Sequence, residues 1–259
     1  MNVERIDSYV AQVRERLFGH ARNLPDAVRL RLVAQEIRRH ASRLGGRVPR
    51  VLDVGCGDKT ALRHFGELDL EVDYCGLDPD PTVSPDLVGD ARELEYQHAR
   101  LPFRPDVILL LDVLEHLEGR HGDVRRVLRG CRSVLAPGGV VLISVPQMYR
   151  LDRLKLSRLH TPEHKLRLTV SEWRGLVELD FEVVAAQGAG YLSALPYLPM
   201  LHPGYGEKNA LGQLVHALRH GLSAVEPLES ADTWLSNSVG RVEQLKGWAN
   251  DTLFVCRTP

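Results

Sequence analysis

The chain has 259 residues, of which 44% are apolar and 26% charged, with a formal net charge of −1. That length can bury a large core as one domain carrying an elaboration, and the near-neutral balance speaks against a dedicated nucleic-acid binder, which is usually basic overall. Four cysteines, Cys56, Cys75, Cys131 and Cys256, lie far apart with no C-x-x-C spacing, which argues against a disulfide framework or a cysteine-built zinc site.

Residues 1–48 are expected to form a helical N-terminal cap. In "VERIDSYVAQVRERLF" the residues Val3, Ile6, Val10, Val13 and Leu17 recur at helical spacing, and "NLPDAVRLRLVAQEIRRHASRLGG" repeats the pattern, with Pro25 early and Gly45-Gly46 as a stop. No apolar signal region opens the chain and no apolar run approaches the roughly 20 residues of a membrane span, so a soluble, cytoplasmic protein is the expectation. The arginine-rich cap has two readings, a surface for phosphate or membrane and the solvated face of amphipathic helices. The second carries more weight.

From residue 49 to 188 the pattern alternates. "RVLDVG", "EVDYCGLD", "PDLVGD", "PDVILLLD", "VVLISVP" and "DFEVVAAQG" read as strands, and "KTALRHFGEL", "HGDVRRVLRGCRSVL" and "TVSEWRGLVEL" as helices, the last opened by a Thr or Ser cap with a following acid. Residues 189–247 break the rhythm with a Pro-, Tyr- and Leu-rich stretch and the helical "ALGQLVHALRHGLSAVEPL". Residues 248–259 supply a last strand, "DTLFVCRTP". The expected fold is therefore α/β: a doubly wound, Rossmann-like, mostly parallel seven-stranded sheet, with the helical cap at its N-terminus and the late insertion over its functional edge.

The chemistry concentrates at strand ends. "VLDVGCGDKT" runs a buried strand through Asp53 into Gly55 and Gly57, a junction that lets backbone approach a ligand. Asp78 closes the second strand, 23 residues after Gly55, at a spacing that suits a carboxylate accepting ribose hydroxyls. Asp90 closes the third strand and Asp112 the fourth. A dinucleotide loop would carry a third glycine at residue 60, which is Thr here, and Asp53 would set negative charge beside phosphates. A cofactor with an adenosine, no phosphate and a positive centre fits better, and S-adenosyl-L-methionine has those properties.

In this order, "VLDVGCG", "GLD", "GDARELEY", "DVLEHL" and "VLAPGGVVLISVP" resemble the class I S-adenosylmethionine-dependent methyltransferases, and most closely the small-molecule branch with the VLEHL signature. The resemblance implies that Asp53 and the backbone at Gly55 and Gly57 hold the methionine part. It further implies that Asp78 takes the ribose hydroxyls, that Asp90 and the Ala91 backbone read the adenine, and that Leu111 and Asp112 lie beside the sulfonium. The product is S-adenosyl-L-homocysteine. Lys59 departs from the pattern, since many members have a further glycine there, and this puts the loop path in question.

A general base is needed if the acceptor must lose a proton, and histidine suits that task near neutral pH. His164 and His116 are the catalytic candidates, with His160 and Tyr149 behind them. Asp112, Glu115 and His116, at i, i+3 and i+4, could share a helix face and, with His164, offer ligands to a divalent ion. That set is similar to the metal site of small-RNA 3′-end methyltransferases and of some ubiquinone-pathway O-methyltransferases. The competing cofactor role of Asp112 weighs against it, so the expectation is no metal. The insertion would set the acceptor, with Tyr191, Leu195, Tyr197, Leu198, Met200 and Leu201 as an apolar lining and His202 and Tyr205 as polar contacts. The expected activity is O-methylation of a small-molecule acceptor in a bacterial biosynthetic pathway. The rivals are methyl transfer to RNA or a phosphate-bearing glycan, and a non-catalytic cofactor-binding module of the same fold.

Overall fold

A computed structural model describes residues 23–118, 120–147, 163–206, 208–223 and 225–259. The helix expected over residues 3–17, together with Tyr149 and His160, lies outside the described residues. Helix α1 (Leu24–Ala41) opens at Asn23 with Pro25 in its first turn, where a missing N–H costs nothing, and buries Leu30, Val33, Ala34 and Ile37 as one apolar stripe. Strand β1 (Arg50–Val54) follows, then α2 (Thr60–Glu67), β2 (Asp73–Asp78) and the short β3 (Leu87–Val88). A 3-10 segment, Ala91–Arg100, leads to β4 (Val107–Leu111). A 3-10 turn, Leu114–His116, leads on to α3 (Arg120–Val134) and β5 (Val140–Pro146). Helix α4 (Val170–Val177) is closed at its start by a capping box in which Thr169 and Glu172 satisfy each other's backbone N–H, as the sequence predicts.

Strand β6 (Glu182–Ala189) and strand β7 (Asp251–Arg257) complete seven strands in the order β3-β2-β1-β4-β5-β7-β6. Strands β1 to β5 pair in parallel, while β7 runs antiparallel between β5 and β6. The architecture is the doubly wound sheet expected from the alternation. Side chains of β1 alternate between two cores, as the two-residue period of a strand requires. Leu52 and Val54 join α3 and α4 on one face, whereas Val51 joins α1 and α2 on the other. Strand β4, whose five residues are apolar throughout, feeds both cores with Ile108 and Leu110 on one side and Val107 and Leu109 on the other.

Between β6 and β7 the chain forms a 3-10 segment (Leu195–Leu201), α5 (Ala210–Ser223), α6 (Glu226–Val239) and the short α7 (Glu243–Lys246). The apolar spacing of "ALGQLVHALRHGLSAVEPL" predicts one helix, but the chain breaks near Val225 and restarts with Pro227 in the first turn of α6. Helix α6 has no comparable apolar signal because its buried face carries Glu229, Asp232, Thr233 and Ser236. Asp232 accepts three backbone N–H groups, from Tyr191 (2.7 Å), Leu192 (3.0 Å) and Ser193 (2.8 Å), and so fixes the exit from β6. Arg31 of α1 pairs with buried Glu229 at 2.7 Å, tying α1 to this segment.

Candidate functional site

The strand order reverses direction between β1 and β4, and a doubly wound sheet offers its ligand crevice outside the carboxyl ends at that point. The loop after β1 is built for close approach. Gly55 (φ 76°) donates its N–H to the Leu77 carbonyl at 2.7 Å, and a Cβ on it would strike Val113 Cγ2 at 2.6 Å. Gly57 (φ 49°) donates to Asp78 Oδ2 at 2.9 Å and faces open space. Gly55 is thus required by both contact and conformation, Gly57 by conformation alone.

Lys59 also sits in the left-handed region, at φ 58°, which is where a further glycine would rest without strain. A lysine facing a cationic ligand would be unfavourable. The structure turns its Nζ onto Asp86 at 2.6 Å, and Asp86 also receives the Gly76 N–H at 2.7 Å. Lys59 does begin α2, as the residue just before its first turn.

Asp53 is 3% exposed, and Tyr74 Oη donates to its Oδ2 at 2.7 Å. Burial pushes its carboxyl up to about 6, helped by Asp78 and opposed by Tyr74 and Arg29. Asp78 takes one N–H on each oxygen, from Gly57 and from Asp80 (2.9 Å). Asp90 caps the Ala91–Arg100 segment by accepting the Arg92 N–H at 2.8 Å, and it also pairs with the Arg92 guanidinium at 2.5 Å. Those bonds hold its carboxyl below the usual range, the Arg92 side chain most of all, against the pull of burial. Ala91 beside it is buried.

Leu111 ends β4, and Asp112 leaves the strand at φ 54°. Its backbone N–H reaches the Ser144 carbonyl at 3.2 Å, and Ser144 Oγ donates to its Oδ1 at 2.8 Å. Its other oxygen receives Arg29 from α1. This corrects the expectation that Asp112, Glu115 and His116 share a helix face, because the left-handed turn at Asp112 separates it from the 3-10 turn that holds Glu115 and His116. The structure instead brings Glu115, His116 and His164 together, with one potential donor atom of each within 4.8 Å of the others. Burial, followed by His116 and Arg167, brings His164 down to about 4, so its imidazole is neutral at physiological pH.

Sequence reasoning missed the cation at the centre of this edge. Arg29 is 9% exposed, bonds Asp112 and Asp26 (2.9 Å), and lies 3.8 Å from Asp251, which the antiparallel β7 starts at the same edge. Burial lowers its affinity for a proton, but Asp26, Asp251, Glu115 and Asp53 outweigh that. Five carboxyl groups, counting Asp112, therefore surround one arginine. Asp251 and Glu115 are both driven upward by burial. The signal was present: Arg29, Val33 and Ile37 are at i, i+4 and i+8, so a guanidinium stands in the apolar stripe of α1.

Residues 16–184 match a family described as "Methyltransferase domain". A probable S-adenosylmethionine-dependent methyltransferase of Mycolicibacterium smegmatis is 29% identical over 174 residues, 64% of each chain, so the chain spans less than two thirds of that relative. Among solved structures, a SAM-dependent methyltransferase from Archaeoglobus fulgidus superposes with a TM-score of 0.53 at 18% identity, covering 96% of this chain and 99% of that one. A plantazolicin methyltransferase in complex with a triazolic desmethylPZN analog and SAH gives 0.52 at 12% identity, covering 96% and 89%. At such identities the two likenesses speak to the fold.

Proposed function

The chain belongs to the methyltransferase-domain family, and on that premise we propose that it transfers a methyl group from S-adenosyl-L-methionine to a hydroxyl of a small-molecule acceptor. It would do so in a bacterial biosynthetic pathway, as a member of the branch with the VLEHL signature. The observation that carries the reading is the Gly57 N–H on the Asp78 carboxylate, which fastens the glycine loop to the acid at the end of β2. Each Asp78 oxygen accepts one backbone N–H and keeps a lone pair, so the pair can take two vicinal ribose hydroxyls.

Charge supports the same cofactor. Five carboxyl groups around Arg29 leave this edge short of positive charge. A sulfonium and an ammonium complement that field, and a pyrophosphate opposes it. When bound, the cofactor supplies an electrophilic methyl group. Asp53 and the Gly55–Gly57 backbone would hold its methionine part, Asp90 and Ala91 would face the adenine, and Leu111 and Asp112 would flank the sulfur.

The protein's own part is to orient the acceptor and receive its proton. His164 is neutral and half-buried, so an unprotonated nitrogen of its ring can accept a hydroxyl proton, and His116 stands at a ring separation of 5.0 Å as the second candidate. Residues 189–247 would form the acceptor-selecting lid. The intramolecular pairing of Arg29, Arg31, Arg39, Arg47 and Arg50 with carboxylates favours a small molecule over RNA, because these guanidinium groups are already engaged. The test is transfer of labelled methyl from the cofactor to a panel of phenols, sugars and RNA at two salt concentrations. Small hydroxylated acceptors should be labelled independently of salt. Labelling of RNA alone, falling steeply with salt, would overturn the acceptor assignment.

A further inference from the structure

We propose that the crevice between the C-terminal end of α1, the start of β5 and the end of β7 binds a tetrahedral oxyanion of the phosphate kind, held by His40, Arg43 and Arg257. The crevice is lined by the side chains of Glu36, Arg39, His40, Arg43 and Arg257 and by two valines. Arg257 closes β7 and pairs with Val140, which opens β5, whereas Asp251 starts β7 at the cofactor edge. The length of β7, about 20 Å, separates the two places. The inference therefore rests on neither the cofactor reading nor the acceptor reading.

His40, in the last turn of α1, is 6% exposed, and neither of its ring nitrogens has a hydrogen-bond partner among the described residues. A neutral imidazole carries one donor and one acceptor, and leaving both unmade out of water is costly. Its surroundings do not invite a second proton. Burial lowers its affinity for one; Asp106 opposes this, and Arg43, Arg257 and Arg47 reinforce it. A buried ring beside cations and without an acceptor is a group that an anion completes.

The acids nearby are already taken. Asp106 holds Arg47 and Arg50, and Glu36 holds Arg39 one turn along α1. Glu182 stands opposite Arg257 in the register of β6 and β7, but no ion pair joins the two among the described residues. The Arg43 and Arg257 side chains likewise make no hydrogen bond or ion pair among the described residues. Three donors therefore come from three elements: His40 from α1, Arg43 from the turn after it and Arg257 from β7. A tetrahedral oxyanion has acceptor oxygens for all three directions, whereas a carboxylate offers two in one plane. A water would satisfy the ring and leave the positive charge.

The experiment titrates inorganic phosphate into the full chain by calorimetry, in a phosphate-free buffer of low salt, and follows the His40 ring proton by NMR across pH. No cofactor or acceptor is present, so failure here is separable from failure of the methyltransferase reading. One equivalent should bind and should move the His40 midpoint upward, because an anion stabilises the imidazolium. Each lost charge-assisted bond should weaken binding at least roughly tenfold in Arg43→Gln and in Arg257→Gln. Arg38→Gln removes the same charge from an exposed position in the last turn of α1 and should change binding less than about twofold. His40→Gln identifies the resonance; if it does not fold by circular dichroism, the two arginine variants carry the test. A second arm uses vesicles of phosphatidylcholine containing phosphatidic acid. Binding there alone, with the same arginine dependence, would assign the oxyanion to a lipid headgroup rather than to free phosphate. No saturable binding in either arm, a His40 midpoint unmoved by the bound anion, or equal losses in Arg38→Gln and Arg43→Gln would overturn the proposal.

Discussion

Two buried carboxylate clusters sit at opposite ends of the same strands, and they are built on opposite principles. At the end where β1 and β4 begin, Asp106 is 2% exposed and is met by Arg47 (2.5 Å), by Arg50 Nε (3.3 Å) and by the Arg50 backbone N–H (2.9 Å). Burial alone would push its carboxyl up; the arginine hydrogen bonds win and hold it far below the usual range. At the other end, five carboxyl groups share one guanidinium, and Asp53, Asp251 and Glu115 all rise. A cluster with donors to spare is complete as a structural joint. One with acceptors to spare is incomplete until a cation arrives.

Removing the single cation should break the second cluster most severely. Arg29→Met leaves Asp26, Asp112 and Asp251 unpaired at pH 7 and should cost about 3–5 kcal/mol in urea unfolding. The loss should shrink as pH falls and the acids take up protons; a loss independent of pH would mean that Arg29 acts only through packing. Asp106→Ala, at the closed end, should cost less, about 1–3 kcal/mol, because Arg47 and Arg50 are partly exposed and can rehydrate. It should leave cofactor affinity unchanged, as measured by calorimetry on the folded fraction.

The pH dependence should carry opposite signs at the two ends. Asp106, depressed in the fold, contributes stability that is present above its unfolded value near 3.9 and is lost as pH falls below it. Asp53, raised to about 6, binds its proton more tightly folded than unfolded, so stability falls as pH rises from about 4 to about 6. Asp53→Asn keeps the acceptor for Tyr74 and should flatten that slope, which comparison of unfolding free energies at pH 4.5 and pH 7 would detect. The smallest effect belongs to the loop. Lys59→Gly relieves a left-handed residue but frees the unfolded chain and loses the Asp86 pair, so unfolding free energy should move by less than about 1 kcal/mol.

The sheet was legible because its central strands are buried on both faces: the runs of β4 and β5 could hardly be anything else. The same holds for Gly55, Gly57 and Asp78, whose positions follow from a strand end and a tight turn. Arg29 and Asp251 were not, since they reach the site from α1 and from an antiparallel strand, and local spacing says nothing of which side chains meet across the sheet edge. Asp112 shows the limit most sharply. Its i, i+3, i+4 spacing with Glu115 and His116 looks helical, but one left-handed residue undoes the register. Helix α6 was hidden because polar residues, paired with backbone and with α1, cover its buried face.

The central claim is that the open cluster is a site for an adenosyl sulfur cofactor fastened by Asp78. It is tested most directly by calorimetric titration of S-adenosylhomocysteine into the intact chain, Asp78→Ala and Asp106→Ala, each checked for folding. The account predicts micromolar binding by the intact chain and by Asp106→Ala, and an affinity at least roughly 100-fold weaker, about 2.7 kcal/mol, in Asp78→Ala. Equal binding by all three, or none by the intact chain, would contradict it.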